Sequence, residues 1–255
     1  MMGLFLTVII PCYNEKENLQ RGVLEVVDKF LESKKFSWEV LISDDGSTDA
    51  SVSIVKKQIK VFPNFKLLEN PHGGKPSALW YGIQKAKGKY VLFTDMDQST
   101  PITQLDKLLL PLDDGYNIVI GSRGFERKDF PLYRKLGSMV FAAFRKSMLL
   151  KSINDTQCGF KLFERTAVAK AFVKLEFFKV KARTKGWKVT SYDVELLHIL
   201  EKMGEKIKEV EVSWKDEDVS TGKGGGGGRY FRESKEMLTQ ILRVKINDLK
   251  GEYQV

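Results

Sequence analysis

The sequence contains few cysteines and no apolar run long enough to cross a membrane. Cys12 and Cys158 are the only two cysteines among 255 residues. Two are too few for a disulfide framework, so a reducing cytosolic compartment is expected. A membrane-spanning helix needs about 20 consecutive apolar residues, and no uninterrupted run of that length occurs. The first ten residues also lack the basic segment that opens a secretory signal peptide, so none is expected.

Positive charge is what the chain has in excess. Lysine and arginine total 42 against 33 aspartates and glutamates, which gives a net charge of +9. Such a charge favours a polyanionic partner: nucleic acid, an anionic membrane surface or a phosphate-bearing substrate. The apolar fraction of 42% is typical of a soluble globular protein, and the length suits one large domain or one domain with an appendage.

Short apolar runs alternate with segments of helical periodicity in the first half of the chain. This alternation is typical of βαβ units, so an α/β fold with a mostly parallel sheet is predicted. The predicted strands cover residues 7–10, 38–43, 65–68, 90–94, 117–121, 158–163 and 206–214. Later helices are predicted near 132–150, 166–177 and 192–203. One helix is also predicted to start at Asn18 and to carry an apolar face from Leu19 to Leu31.

Two carboxylates, Asp95 and Asp97, follow directly after the apolar run at 90–93. If that run is a buried strand, both emerge at its carboxyl end, where open α/β sheets bind their ligands. Mg²⁺ is usually held by one or two carboxylates and completes its shell with phosphate oxygens and water. The pair therefore suits a cation that carries a diphosphate, although a solvated turn or a cap for the next helix would also explain it.

Polar residues also follow the first two predicted strands. The first strand ends in Pro-Cys-Tyr-Asn-Glu at 11–15, and the second ends in Asp-Asp-Gly-Ser at 44–47. Asp44 or Asp45 can accept a hydrogen bond from a base N–H or a ribose hydroxyl, and Tyr13 offers a ring face. Each segment alone is also typical of a turn. Together with the acidic pair, they predict one crevice along the rim of the sheet.

These motifs resemble those of the inverting glycosyltransferases of family 2, which have the GT-A fold. Gly-Ser-Arg at 121–123, Asp-Thr-Gln-Cys-Gly-Phe-Lys-Leu-Phe at 155–163 and Tyr-Asp-Val-Glu-Leu-Leu at 192–197 bring the resemblance closer to the polyprenyl-phosphate glycosyltransferases, above all the dolichyl-phosphate glucosyltransferases. The resemblance implies a GT-A domain over 1–214, with a mostly parallel central sheet flanked by helices. A glycine-rich mobile loop and a basic amphipathic helix would then occupy 215–255.

The resemblance also implies roles for individual residues. A nucleotide-sugar donor would bind a set of residues at the strand ends: Pro11, Tyr13, Glu15, Asp44, Asp45, Lys75, Asp95 and Met96. A Mg²⁺ or Mn²⁺ ion would bind Asp95 and Asp97, and the acceptor phosphate would meet Arg123 and Arg134. Catalysis would depend on Asp97, Arg123 and Asp155, of which Asp155 could orient the nucleophile or a basic residue, or have a structural role.

The implied reaction is the transfer of a hexose to a polyprenyl phosphate at the cytosolic face of a membrane. Glucose from UDP-glucose is the first expectation, with mannose from GDP-mannose or a different acceptor as alternatives. A phosphate monoester is largely dianionic at neutral pH, so the acceptor needs no strong base. A nucleic-acid-binding module is the non-enzyme alternative. No nucleic-acid partner is expected, because the basic residues cluster in the second half, away from the acidic strand ends.

Two basic amphipathic stretches, 134–146 and 229–250, could lie in a lipid headgroup layer or pack against the sheet. The glycine-rich segment 222–228 is predicted to be a mobile loop, either a connector or a lid over bound substrate. Two features depart from the family pattern: Pro76 stands where a second glycine usually follows the lysine, and 186–191 looks longer than its counterpart.

Overall fold

The computed structural model describes residues 3–124, 148–150, 152–179, 192–215, 217 and 227–253. Its strands are β1 (Leu6–Cys12), β2 (Trp38–Asp44), β3 (Phe65–Glu69), β4 (Tyr90–Phe93), β5 (Ile118–Ser122), β6 (Lys161–Glu164) and β7 (Ile207–Glu211). Its helices are α1 (Lys16–Gln20), α2 (Val23–Glu32), α3 (Ser51–Gln58), α4 (Lys75–Lys85), α5 (Leu105–Asp113), α6 (Arg165–Phe172), α7 (Glu176–Lys179), α8 (Tyr192–Lys202) and α9 (Gly227–Leu249). All the predicted strands are present, with ends that differ by a few residues.

The described strands form one sheet in the order β3-β2-β1-β4-β6-β5-β7. β1 pairs in parallel with β2 and β4, β2 pairs in parallel with β3, and β5 pairs in parallel with β7. β6 is antiparallel to both of its neighbours, β4 and β5. The predicted α/β fold with a mostly parallel sheet is therefore confirmed. The carboxyl ends of β1, β2 and β4 meet at one edge, as the parallel pairing requires.

Helices cover both faces of the sheet, so the central strands are buried on both sides. Side chains alternate between the faces: Ile9 of β1 packs in one apolar cluster, while its neighbours Val8 and Ile10 pack in the other. The first cluster also contains residues of α4, α6 and α8, and the second contains residues of α2 and α5. This two-sided burial explains why the strands read as nearly continuous apolar runs.

The prediction of one continuous helix from Asn18 to Leu31 is wrong. The chain forms α1 and α2 instead, separated at Gly22, whose φ of +77° lies in the left-handed region that glycine adopts readily. Asn18 lies buried inside α1, and its amide donates to Glu15 Oε2 at 2.6 Å. The break turns α1 toward α3 and leaves the apolar face of α2 on the sheet.

The C-terminal helix α9 packs against α8 through buried apolar side chains and a charged network. Ile241 and Val244 of α9 are fully buried. The guanidinium of Arg243 donates to Glu195 Oε2 at 2.9 Å, and the Tyr253 hydroxyl donates to Glu195 Oε1 at 2.7 Å. Buried polar groups with satisfied partners fix one packing arrangement. The division into domains at residue 214 stays a prediction.

Several predicted features lie outside the described residues. These are Arg134 with the amphipathic stretch 134–146, the segment 186–191, and most of the glycine-rich segment 222–228. Pro76 is described, and it lies buried in the first turn of α4, a position where a missing N–H costs nothing. None of the described helices combines the length and the apolar character that crossing a membrane requires.

Candidate active site

An open cleft of about 350 Å³ lies at the carboxyl ends of β1, β2 and β4. Its lining combines residues of the three strand ends with the loop that enters α4: Pro11, Cys12, Tyr13, Glu15, Asp45, His72, Gly74, Lys75, Ala78, Asp95, Met96 and Asp97. Most of the residues predicted to bind a nucleotide sugar therefore meet at one place. Asp44, Arg123 and Asp155 are described residues that do not line this cleft.

The turns after β1 and β2 hold each other in place. Asn14 has a φ of +55°, a conformation that asparagine tolerates better than most residues. Its Oδ1 accepts the N–H groups of Thr48 and Asp49, and its own N–H donates to Ser47 Oγ at 3.0 Å. The N–H of Glu15 donates to Ser51 Oγ at 2.8 Å. These bonds fix the backbone on either side of Tyr13, which leaves its ring 44% exposed at the cleft.

Asp44 and Asp45 are adjacent in sequence but hold different parts of the structure. Asp44 accepts hydrogen bonds from the N–H groups of Gly46 and Ser47 and from the Ser47 hydroxyl, so its carboxylate closes its own turn. Asp45 accepts the N–H groups of Gly73 and Gly74 at 2.9 and 2.8 Å. Asp45 therefore anchors the loop that leads into α4, and this loop forms one wall of the cleft.

His72 lines the cleft and was not among the predicted site residues. Its ring stacks on Tyr13 with centroids 4.6 Å apart and planes 25° apart. Nδ1 lies 2.9 Å from the Asp45 backbone oxygen and 2.9 Å from Asp45 Oδ2. Because both neighbours are acceptors, Nδ1 carries the proton. The only sequence signal for His72 is its place three residues before Lys75.

The acidic pair follows β4 in a tight turn. Gln98 has a φ of +53°, and its side-chain amide donates to the Asp95 backbone oxygen and to Thr94 Oγ1. Asp97 Oδ1 accepts the N–H of Ser99 at 2.8 Å. Gly159 lies directly against Asp95, since a Cβ built at residue 159 would stand 2.0 Å from Asp95 Oδ2. The turn therefore brings both carboxylates to the cleft and holds Asp95 against a neighbouring backbone.

The donor set of this turn fits a hard divalent cation that arrives with a phosphate ligand. No group of three or more His, Cys, Asp or Glu side chains among the described residues could hold a metal by itself. Two carboxylates, however, are what Mg²⁺ commonly takes from a protein when the substrate supplies the remaining oxygens. Asp95 and Asp97 could hold such an ion together with a diphosphate.

Lys75 lies at the start of α4 and reaches the acidic pair. Its Nζ is 2.5 Å from Asp95 Oδ1. Partial loss of solvent lowers the pKa of Lys75, but the negative charges of Asp95, Asp193 and Asp97 outweigh this effect and raise that pKa above its ordinary value. The cleft therefore keeps a permanent positive charge beside its carboxylates.

Arg123 and Asp155 form a nearly buried ion pair at the end of β5. The guanidinium donates from Nε to Asp155 Oδ2 at 2.7 Å and from Nη2 to Oδ1 at 2.8 Å, and the Arg123 backbone N–H donates to Oδ2 at 3.1 Å. Burial raises the pKa of Asp155, but the bonds and charge of Arg123 outweigh it and hold that pKa well below its ordinary value. The guanidinium also lies 5.7 Å from the centroid of the Trp214 ring. Asp155 thus holds the Arg123 guanidinium in one orientation, and the catalytic role expected for it stays a prediction.

Sequence reasoning also missed Lys161 and Asp193, although both lie inside the motifs at 155–163 and 192–197. The Lys161 ammonium is buried and donates to the Cys158 backbone oxygen and, at 2.8 Å, to Asp193 Oδ1. The charge of Asp193 also raises the pKa of both Lys75 and Arg123. Asp193 therefore couples the cleft electrostatically to the Arg123 pair, and Lys161 fixes the turn that places Gly159 against Asp95.

Comparison with known proteins shows which family the chain resembles. A family model described as Glycosyl transferase family 2 matches residues 7–172. The dolichyl-phosphate beta-glucosyltransferase of Dictyostelium discoideum is 31% identical over 272 residues, which cover 99% of this chain and 77% of that protein.

Two solved structures share the fold. The mannosyltransferase PcManGT from Pyrobaculum calidifontis, in complex with GDP-Man and Mn²⁺, superposes with a TM-score of 0.62 at 20% identity, covering 95% of this chain and 64% of that one. Glucosyl-3-phosphoglycerate synthase from Mycobacterium tuberculosis, in complex with Mn²⁺, UDP and phosphoglyceric acid, gives a TM-score of 0.60 at 16% identity, covering 95% of this chain and 78% of that one. At these identities the likeness establishes the fold alone.

Proposed function

Because this chain belongs to glycosyltransferase family 2 and has the GT-A fold, we propose that it transfers glucose from UDP-glucose to the phosphate of a polyprenol of the dolichyl type. The observation that carries the proposal is the convergence of Tyr13, Lys75, Asp95 and Asp97 on one cleft. A ring, a fixed cation and two carboxylates are the groups that a nucleotide diphosphate with its metal ion requires. The similarity to a dolichyl-phosphate beta-glucosyltransferase over nearly the whole chain supports the sugar and the acceptor.

The donor end of the reaction is assigned to the cleft. Asp95 and Asp97 would hold Mg²⁺ or Mn²⁺, whose chemistry is to stabilise the charge that develops on the leaving diphosphate. Tyr13 and His72 offer ring faces for the base, and Lys75 offers a charge-assisted hydrogen bond to diphosphate oxygens. Asp44 and Asp45 would act through the turns that they hold. Pro11, Glu15 and Met96 would complete the donor site.

The acceptor end is assigned to the end of β5. A phosphate monoester attacks without a strong base, so the protein must mainly bring two anions together in the right orientation. Arg123 is suited to this task because Asp155 fixes its guanidinium from Nε and Nη2. A planar guanidinium has five N–H donors, and a fork of this kind matches a phosphate. Arg134 remains a further candidate for the acceptor phosphate.

We also propose that the protein works on the cytosolic face of a membrane as a peripheral enzyme, because the tail of a polyprenol acceptor remains in lipid. The described part of α9 supports this location. Leu238, Leu242, Ile246 and Leu249 are exposed along one stripe, while Ile241 and Val244 are buried on another. Side chains three or four residues apart lie on one face of a helix, so these four form a continuous apolar strip that the sheet does not cover.

The test is a transfer assay with radiolabelled sugar nucleotides, dolichyl or undecaprenyl phosphate, and Mn²⁺ or Mg²⁺. UDP-glucose should yield a lipid-linked glucose, and GDP-mannose should yield little product. The Asp97→Asn variant should lose about a hundredfold or more of this activity, because it removes one charge from the metal site. Asp114→Asn, an exposed carboxylate at the end of α5, is the matched control and should retain full activity. If neither UDP-glucose nor GDP-mannose yields a lipid-linked sugar, the proposal is refuted. If only GDP-mannose yields product, the proposed donor is wrong and mannose is the sugar transferred.

A further inference from the structure

The Lys75 ammonium lies at the same carboxylate that is assigned to the metal ion. Its Nζ is 2.5 Å from Asp95 Oδ1. The side chains of Lys75 and Asp95 are 41% and 38% exposed, so an incoming ligand can reach the pair. An ammonium and a divalent cation at one carboxylate oxygen repel each other. The lysine and the metal therefore compete for Asp95.

The residues around Asp95 restrict the movement of its carboxylate, so it cannot shift away when both cations approach. A Cβ at residue 159 would lie 2.0 Å from Asp95 Oδ2 and 3.1 Å from Oδ1, so the Gly159 backbone already stands against the carboxylate. The turn behind Asp95 is fixed by the Gln98 side chain, which donates to the Asp95 backbone oxygen at 2.9 Å. The carboxylate has no room to move toward residue 159 when a second cation arrives.

Lys75, in contrast, has a fixed backbone and a long side chain that can move. The residue begins α4, and the two N–H groups before it, of Gly73 and Gly74, donate to the Asp45 carboxylate. A lysine side chain is a flexible four-carbon stem that ends in an ammonium group with three N–H donors. The ammonium can therefore leave Asp95 for another anion without any change in the loop.

We infer that Lys75 is the counter-ion of Asp95 in the donor-free protein and that it makes metal binding depend on the diphosphate of the donor. The inference rests on the proposed function, since it takes a metal-bound nucleotide diphosphate as the ligand. A cation arriving alone meets the ammonium at Asp95. A diphosphate supplies oxygens that accept a charge-assisted hydrogen bond from the ammonium, and Asp95 is then released to the metal. The diphosphate thus raises the affinity for the metal by some factor. Because the two binding events share one free energy of coupling, the metal raises the affinity for the diphosphate by that same factor.

The test measures the affinity of Mn²⁺ by the electron paramagnetic resonance signal of the unbound ion, with and without UDP. Lys75→Met should bind Mn²⁺ alone about tenfold more tightly than the wild-type protein, because a competing charge next to the carboxylate is gone. The same variant should bind UDP at saturating Mn²⁺ about tenfold more weakly, because a charge-assisted hydrogen bond is lost. Lys75→Arg should keep both affinities near the wild-type values. A change that merely damages the cleft should weaken the binding of both Mn²⁺ and UDP. Tighter Mn²⁺ binding together with weaker UDP binding therefore identifies the proposed role.

Lys85→Met is the matched control, since it removes the same charge from an exposed position in the last turn of the same helix. Both of its affinities should equal those of the wild-type protein, and circular dichroism checks the folding of each variant. If Lys75→Met does not fold, Lys75→Gln replaces it. Unchanged or weaker Mn²⁺ binding without UDP in the folded variant overturns the inference.

Failure of the proposed function gives a different result. If the wild-type protein binds no Mn²⁺ in the presence of UDP, or if Asp97→Asn binds it equally well, the metal site itself is misassigned and the inference falls with it. If wild-type binding is strong and lost in Asp97→Asn, the site stands. If Lys75→Met then has the Mn²⁺ and UDP affinities of the wild-type protein, the inference is refuted while the proposed function is not.

Discussion

At the scale of single residues, Gly159 is a described position with almost no room for a side chain. Its Cα faces Asp95 so closely that an added methyl group would overlap the carboxylate, 2.0 Å from Oδ2. This contact joins the motif at 155–163 to the acidic pair, although the two are far apart in sequence. Glycine is needed here for a close approach rather than for an unusual φ.

We predict that Gly159→Ala lowers the transfer rate by about a hundredfold, because a displacement of roughly 1 Å at a reacting group has effects of that size. The assay of lipid-linked product measures this loss. Gly3→Ala serves as the control, since a Cβ at that position meets nothing within 4 Å. Wild-type activity in Gly159→Ala would show that Asp95 does not need its observed position.

The ion pair of Arg123 and Asp155 has a definite pH dependence. The folded-state pKa of Asp155 lies below its ordinary value, which is about 3.9. The pair therefore contributes its full stability above that ordinary value and loses it as the pH falls toward the folded-state pKa. The side chains are 15% and 12% exposed, so water screens the pair only weakly.

We predict that Asp155→Asn reduces the free energy of unfolding at pH 7 by about 3 kcal/mol, the usual cost of removing one partner of a buried pair. The difference from the wild-type protein should shrink as the pH is lowered below about 4, where the unfolded state takes up a proton. Urea unfolding at both pH values measures this difference, and Asp114→Asn should show no effect. A difference that stays constant with pH would contradict the assignment.

Residue positions could be predicted from the sequence only where one rule fixes them. Tyr13, Asp95 and Asp97 follow parallel strands, and the carboxyl ends of such strands meet at one edge of the sheet. His72 and Asp193 could not be found in this way. His72 reaches the cleft through the loop that Asp45 anchors. Asp193 does not line the cleft, and its position is fixed by the hydrogen bond from the buried Lys161 ammonium. Both placements depend on tertiary contacts that no local pattern encodes.

At the scale of elements, α9 has two faces with different surroundings. Its buried residues meet α8, and Arg243 donates to Glu195 across that contact. The strip of Leu238, Leu242, Ile246 and Leu249 is exposed, with Leu249 reaching 76%. A helix with one protein-facing side and one apolar solvent-facing side can lie at a lipid surface without losing its packing.

We predict that the double change Leu242→Asn with Ile246→Asn weakens binding to vesicles of phosphatidylcholine and phosphatidylserine by at least about tenfold. Each apolar side chain buried in lipid contributes on the order of 1.5–3 kcal/mol when fully transferred. Co-sedimentation measures the partition. Val26→Asn alters an exposed apolar residue of α2, 55% exposed, and should bind vesicles like the wild-type protein. Equal partition of the double variant would remove α9 from the membrane contact.

The boundaries of elements followed the sequence less well than their existence. The apolar periodicity at 19–31 is continuous, yet the chain breaks at Gly22 because a positive φ there ends α1. The pattern of apolar residues records only which residues are buried, and Leu19 of α1 lies in the same apolar cluster as the buried residues of α2. Periodicity alone therefore could not detect the break, whereas the glycine in its middle could have suggested it.

At the scale of the whole molecule, the alternation of strands and helices was sufficient to predict the parallel half of the sheet. The strands in the order β3-β2-β1-β4 are all parallel, as strands joined by βαβ crossovers are. The position of β6 was not predictable, because a four-residue strand between helices has no periodic signal that selects its neighbours. Its pairing with both β4 and β5 is what brings residues 155–160 to the acidic pair.

The insertion of β6 has a consequence for synthesis on the ribosome. β4 and β5 leave the ribosome before β6, which lies between them in the folded sheet. About forty further residues must leave the exit tunnel before the gap is filled, and such long-range pairing is slow. During synthesis, the strands β1, β2 and β4 that border the cleft are therefore made before β6, whose pairing joins β4 to β5.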